Sequence, residues 1–405
     1  MTTSHACTRS TLDGSPTAAA TPPAGTPAAG ATTASLTATA RPRYMGARLV
    51  AVLAAVLALG GCARSVEPSV EVPPDVVVPG ASSLLESCLL GGGELTLRHE
   101  VNNNDTSPHG DVVSFTVSGD RLAVGSADGT IKLWTLDGFV ATLASGALTY
   151  GPELATTEPR DLTFFDEEIV SGDARGLVTA FQTTGEMRVL GGTAPETAIV
   201  AIAIAPATLT RGGFPTLQSA RLAHADTQAG GNVIVRELDG DVVVGPLATA
   251  LDSVTDLQFA DDGTLLVAGT NASSGGLQRY DVSGARTATA PDAGAVRAID
   301  TVGALVAAVT DDTLSLYDDA LSLRGRILAE EHAPLGVALS AHGRIAFTIG
   351  ADQSLLAWDT ETGAVLARIE VPAAVRIDTS PDADTAFVAA RDGWLRAYGC
   401  RALTP

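Results

Sequence analysis

From residue 94 to the end of the chain, short apolar runs of about five to seven residues alternate with turn residues, and no amphipathic period of 3.6 is sustained. The clearest unit is "VVSFTVSGDRLAVGSADGTIKLWTLDG", Val112 to Gly138, which reads strand, turn, strand, turn, strand. Its last strand ends on Trp134, five residues after Gly129. The same offset from a turn residue to an aromatic recurs in "GLVTAF" (Phe181), "GGLQRY" (Tyr280), "DTLSLY" (Tyr317), "QSLLAW" (Trp358) and "GWLRAY" (Tyr398), while "GNVIVR" puts Arg236 in that place. The seven copies recur about every 40 residues, the period of propeller blades.

Upstream of these copies lie apolar strands such as "RLAVGS", "EIVSGD", "TLLVAG" and "RIAFTI", and before them another set including "RDLTFF", "VTDLQF" and "VRAID". Asp-Gly at Asp128, Asp262 and Asp392 supplies the positive-φ geometry that tight hairpins prefer. With "FVATLA", "VVVGPL" and "AVLARI" as outer strands, each unit has four. The fold class expected is therefore all-β: a seven-bladed β-propeller of four-stranded antiparallel blades. Equal positions in successive strands make Trp134, Phe181, Tyr280, Tyr317, Trp358 and Tyr398 packing residues between blades rather than a ligand cage.

The unit from Val112 to Gly138, and "LGVALSAHGRIAFTIGADQSLLAWDTETGAVLARI" with its Trp358-Asp359, resemble WD40 repeats. The resemblance covers residues 94–401, strongest in the first and sixth units, and shades into WD40-like or quinoprotein-type propellers elsewhere. It implies a hydrogen-bonded support inside a blade, for which His109, Ser126, Asp128 and Trp134 are the matching residues, with His332 in a similar place in the sixth unit. It also implies a scaffold for a protein or peptide partner.

The last unit stops after three strands, so the outer strand that completes it is expected from "ELTLRHE", Glu94 to Glu100, because an unclosed ring leaves an open sheet edge. Cys88 precedes that strand and Cys400 follows the last inner one. In an antiparallel pair those ends are neighbours, and a disulfide between them is the expectation. Two unrelated thiols are the alternative.

The amino-terminal part is different in kind. Residues 1–44 are mostly Ala, Thr, Pro and Ser and read as a disordered extension, or as a start placed too early with Met45 as the first residue. Residues 45–61 carry Arg48 and an apolar run from Leu49 to Leu59, the layout of a secretory signal. The run is too short to span a bilayer. "LGGC" resembles the lipobox of bacterial lipoproteins, which implies lipidation of Cys62; an ordinary signal with an incidental cysteine is the alternative. Residues 62–86, with Pro68, Pro73, Pro74 and Pro79, read as a tether, and 87–405 as the propeller. This places the protein outside the cytoplasm, on a cell or outer membrane through its lipid alone.

The formal net charge is −21, and Lys132 is the single lysine. Such a balance repels phosphate backbones, so no nucleic-acid partner is expected. Motifs of zinc hydrolysis, paired CxxC and GxSxG are absent from the sequence, so no cofactor, metal or catalytic residue is expected and the protein is read as a non-catalytic scaffold. The alternative is an extracytoplasmic enzyme or small-ligand binder, quinoprotein-like, that uses the central channel. The acidic pairs Asp261-Asp262, Asp311-Asp312 and Asp318-Asp319 are turn formers. Two long insertions, Ser145–Glu158 and Ala207–Ser219, should emerge on opposite faces, and Tyr150, Arg211 and Phe214 within them are the expected partner contacts.

Overall fold

The structure, a computed structural model, describes residues 83–402 apart from 105–109, 145–157, 193–196, 206–207, 212–213, 218–219, 229–230, 239–241, 272–274 and 381–383. The extension, the signal segment, Cys62, His109 and Tyr150 lie outside the described residues.

Seven four-stranded antiparallel sheets stand in a ring. In six of them the strand first in sequence is innermost and its neighbours follow outward in chain order; in the seventh, three strands follow that order and the outermost comes from the beginning of the domain. The innermost strands are Val112–Ser118, Pro159–Phe165, Ile199–Ala205, Ser253–Phe259, Ala298–Val302, Pro334–Leu339 and Ala374–Thr379, blades one to seven. Each contacts the innermost strand of the next blade, and the seventh contacts the first, so the ring closes. Hairpins inside a blade need only short turns, and Gly129 at φ 88° and Gly393 at φ 98° occupy left-handed positions that L side chains resist.

The recurring aromatics are core. Phe181, Tyr280 and Tyr317 are at most 1% exposed, and each packs on the blade before it, as Phe181 does against Ala123, Ile131 and Leu133. Trp134 lies against Phe387 and Leu395 of blade seven, and Trp358 against Leu314 and Leu316 of blade five. This burial between blades replaces a single central core: the ring's axis is a channel.

Closure uses the beginning of the domain. Strand β1 (Glu94–Asn102) pairs antiparallel with Trp394–Arg401 as the outer strand of blade seven. Ahead of it, helix α1 (Leu84–Leu90) opens with a capping box between Ser83 and Glu86. The expected tether therefore ends before residue 84, because Ser83 can cap and Leu85 and Leu89 have an apolar face to bury, against residues that include Ile345 and Tyr398. Buried Glu86 accepts from Ser340 Oγ (2.5 Å) and the His342 backbone N–H (3.1 Å), and lies 3.0 Å from His342 Nδ1. Burial pushes its carboxyl up, but the bonds from Ser340, His342 and Ser83 outweigh that and hold it below the ordinary carboxylate range. Cys88 and Cys400 are joined by a disulfide spanning 312 residues of sequence. In the chain-entropy account such a loop contributes at most about 5 kcal/mol.

The insertion at 207–219 folds into a two-stranded hairpin, Thr208–Arg211 with Phe214–Leu217, and Arg211 is paired directly with Phe214 in its register. Among the described residues no helix is long and apolar enough to cross a membrane.

Candidate functional site: the charged channel

An innermost strand has one neighbour in its own sheet, so its channel-side N–H groups lack ladder partners, and buried backbone donors must be satisfied. Aspartates do this here. Asp161 of blade two accepts from the N–H of Leu162 (3.1 Å) and from Ile202 of blade three (2.7 Å). Asp256 of blade four does the same for Leu257 and for Ile299 of blade five, both at 2.8 Å. Asp300 takes Thr301 (2.7 Å) and Leu339 of blade six (2.6 Å), and Asp378 takes Thr379 (2.8 Å) and Val117 of blade one (2.9 Å). Each carboxylate thus stitches its own strand to the next blade. Between blades one and two a hydroxyl takes the role, with Ser114 Oγ donating to the Pro159 carbonyl at 2.6 Å.

Asp161 and Asp256 each follow a bulge near the start of their strands, and Arg376 follows the corresponding bulge in blade seven, two residues before Asp378. The channel lined by these side chains encloses about 350 Å³. Burial pushes Asp161 and Asp378 up to about 6, and Asp256 and Asp300 up to about 7, against the backbone donors that favour the ionised form. The carboxylates also raise one another, Asp161 acting on Asp256 and Asp378 on Asp300, while Arg376 draws Asp161 and Asp256 down.

At the end where the second and third strands of each blade turn, the channel widens into a mouth of about 630 Å³. Arg160, Arg297, Arg376 and Arg391 line it, with Asp111 and Glu158 between them. Arg160 pairs with Glu158 at 3.2 Å and Arg297 with Asp311. Thr255, Arg297, Leu335, Val375 and Arg376 border both mouth and channel, so the two form one funnel. Helix α1 binds Ser340 and His342, in the turn between the first and second strands of blade six, and so sits at the other end.

Of the residues expected to support blade one, His109 lies outside the described residues, and Ser126, Asp128 and Trp134 lie within them. Asn103 joins two of them: its Nδ2 donates to Ser126 Oγ (3.2 Å), and its Oδ1 accepts from Trp134 Nε1 (3.0 Å). Lys132, fully buried, donates to the Asn103 carbonyl at 2.5 Å, and burial lowers its pKa. Asp128 accepts from the Thr130 N–H in its own turn. Among the described residues a complete network of this kind is seen in blade six. There His332 bridges Asp352 and Thr348, each at 2.8 Å, Trp358 Nε1 donates to Thr348 Oγ1 at 2.8 Å, and Ser354 Oγ bonds Asp352 at 2.7 Å. These are structural bonds within one sheet. Among the described residues no group of three or more His, Cys, Asp and Glu side chains is placed to hold a metal ion.

The channel aspartates and mouth arginines were missed in the sequence. Their signal was an acidic residue inside an otherwise apolar innermost strand, as in "RDLTFF", "VTDLQF" and "VRAID", with an arginine one to three residues ahead in "PRDL", "VRAID" and "VRID".

No curated protein matches the chain. The family model of the WD domain, G-beta repeat, matches residues 104–135, which hold Asn104 and the first three strands of blade one. With that repeat and its seven four-stranded blades, the chain is a WD40-like β-propeller.

Proposed function

We propose that this protein is a non-catalytic scaffold that binds a protein or peptide partner at the channel mouth, and that it does so outside the cytoplasm, held to a membrane by lipid on Cys62. The observation that carries the reading is the funnel: an open, charged mouth on a rigid ring, built from side chains of six of the seven blades. WD40-like propellers supply such a platform, and interaction sites favour turns on a rigid scaffold.

A photo-crosslinking residue at Ala127, on the mouth, is compared with one at Asp120, on the opposite end, in native membranes. The reading requires discrete crosslinked products at Ala127 and none at Asp120. Cys62→Ser must move the protein from the membrane to the soluble fraction. Equal products at both ends sink the mouth as the contact face, and unchanged fractionation sinks the lipid anchor.

A further inference from the structure

We infer that the partner segment seated in the mouth is an acidic peptide, recognised through side-chain carboxylates by Arg160, Arg297, Arg376 and Arg391. This rests on the mouth being the binding face and adds the chemistry of what it binds.

The whole chain is strongly acidic, at −21, yet four arginines converge on one opening of the ring. Among the described residues two acidic side chains, Asp111 and Glu158, share the lining of that opening. Elsewhere some arginines are matched to a partner acid, as Arg188 is to Glu168 and Arg396 to Glu100, and others bond backbone carbonyls, as Arg98, Arg221 and Arg236 do; at the mouth Arg160 and Arg297 each have one acid. At the mouth, Arg391 has no ion pair or side-chain hydrogen bond among the described residues. Arg376 has no direct bond there either, and feels Asp161 and Asp256 only through the channel.

A local excess of positive charge on an acidic body is selective. An anionic segment is repelled by the rest of the surface and attracted only where the arginines gather, which fixes where it docks. Guanidinium groups pair carboxylates in a two-pronged fashion, and they are more weakly hydrated than an ammonium. Single-charge carboxylates suit the spacing better than a dense phosphate array, because Asp111 and Glu158 interleave with the arginines and further carboxyls line the channel below. An acidic peptide lying across the mouth places its side chains on the arginines without entering that acidic throat.

The probe is a fluorescein-labelled peptide of six glutamates between glycines, with six-glutamine and six-lysine peptides of the same design beside it, titrated by anisotropy against the propeller, residues 83–405, and against the full chain. The expected result is saturable binding of the glutamate probe alone, at least tenfold weaker in Arg297→Gln/Arg391→Gln, and weaker as salt rises. Arg324→Gln, on the outer strand of blade five, should leave it unchanged, and melting temperatures establish that every variant is folded. The inference is overturned if the glutamate probe shows no saturable binding, if the double variant binds as well as wild type, or if the glutamine probe binds equally. In the last case the mouth still binds peptide, so the scaffold reading survives without its charge chemistry. Failure of the scaffold reading itself is read from the crosslinking pattern.

Discussion

Blades three and six occupy equivalent places in one ring and solve the same problem in opposite ways. Each has a buried histidine. In blade six His332 bonds Asp352 and Thr348, and Trp358 completes the set. In blade three His224 is fully buried, and neither ring nitrogen has a hydrogen-bond partner among the described residues. Arg236 stands where blade six has Trp358; its Nη1 reaches the Leu190 carbonyl of blade two, and its Nε is unpaired among the described residues. The two blades do not differ in the stitching carboxylate: Ala201 in blade three and Gly336 in blade six both stand at the position of Asp161 and Asp256. The slot in the ring is defined by strand order and apolar burial. A polar network within it adds stability only when every member is satisfied.

The largest effect should come from the latch, which fastens to blade six and not to blade three. Cys88→Ser with Cys400→Ser removes the cross-link, with a loss of up to about 5 kcal/mol in denaturant titration. Hydrogen exchange should then rise first in β1, α1 and the Ser340–His342 turn, while blade three keeps its protection. Uniform loosening around the ring would mean that the closure does not act through blade six.

Next in size is Thr348→Val. The hydroxyl is shared by His332 Nε2 and Trp358 Nε1, so its removal strands two buried groups at once. A cost of about 2–4 kcal/mol is expected from the denaturation midpoint. A cost under about 0.5 kcal/mol would show that the network is ornamental and that the two blades do not differ in kind.

The channel gives a pH signature. A carboxyl raised from 3.8 to about 6 or 7 keeps its proton in the folded chain after the unfolded chain has lost it, so these groups stabilise at low pH, and that advantage is lost as pH rises towards 7. His224, lowered to about 4, and His332, also lowered, act in the reverse sense: the unfolded imidazole binds its proton first, so stability from them grows as pH rises through 6.5. Four aspartates outweigh two histidines, and thermal midpoints should fall by roughly 5 °C from pH 5 to pH 7.5. Glu86, Asp352 and Asp359, lowered by their bonds, act only below this window. Asp256→Asn with Asp300→Asn should flatten the fall; an unchanged slope would place the titration elsewhere.

Blade six was legible in the sequence and blade three was not, for the same physical reason. Period, turn chemistry and the aromatic offset report burial between blades, and blade six obeys all three through Trp358 and the Asp352 turn. The seven units, the closing strand and the Cys88–Cys400 pair follow from such local signals. Blade three breaks the offset at Arg236 and inserts a hairpin, so its outline was weak. The site was harder still, because Asp161 and Asp256 look like flaws in apolar strands until the ring brings each to the edge of another blade. In blade one Asn103, which lies in the connection leading out of β1, bonds Ser126 and Trp134, and only closure of the ring delivers it beside them.

The smallest and sharpest test exchanges the two histidines for leucine separately. His332→Leu leaves Asp352 and Thr348 without their partner and should destabilise by about 2 kcal/mol or more. His224→Leu should do the opposite. Its side of the sheet carries Ile202 and Leu222 of its own blade, which pack with Val170 of blade two, so an apolar side chain of similar size removes an uncompensated polar group. A gain of about 1 kcal/mol is expected at pH 7, larger at pH 5, where the unfolded histidine is protonated and the buried one is not. Equal losses for both substitutions would show that His224 is satisfied in solution, and the contrast between blades three and six would then reduce to sequence alone.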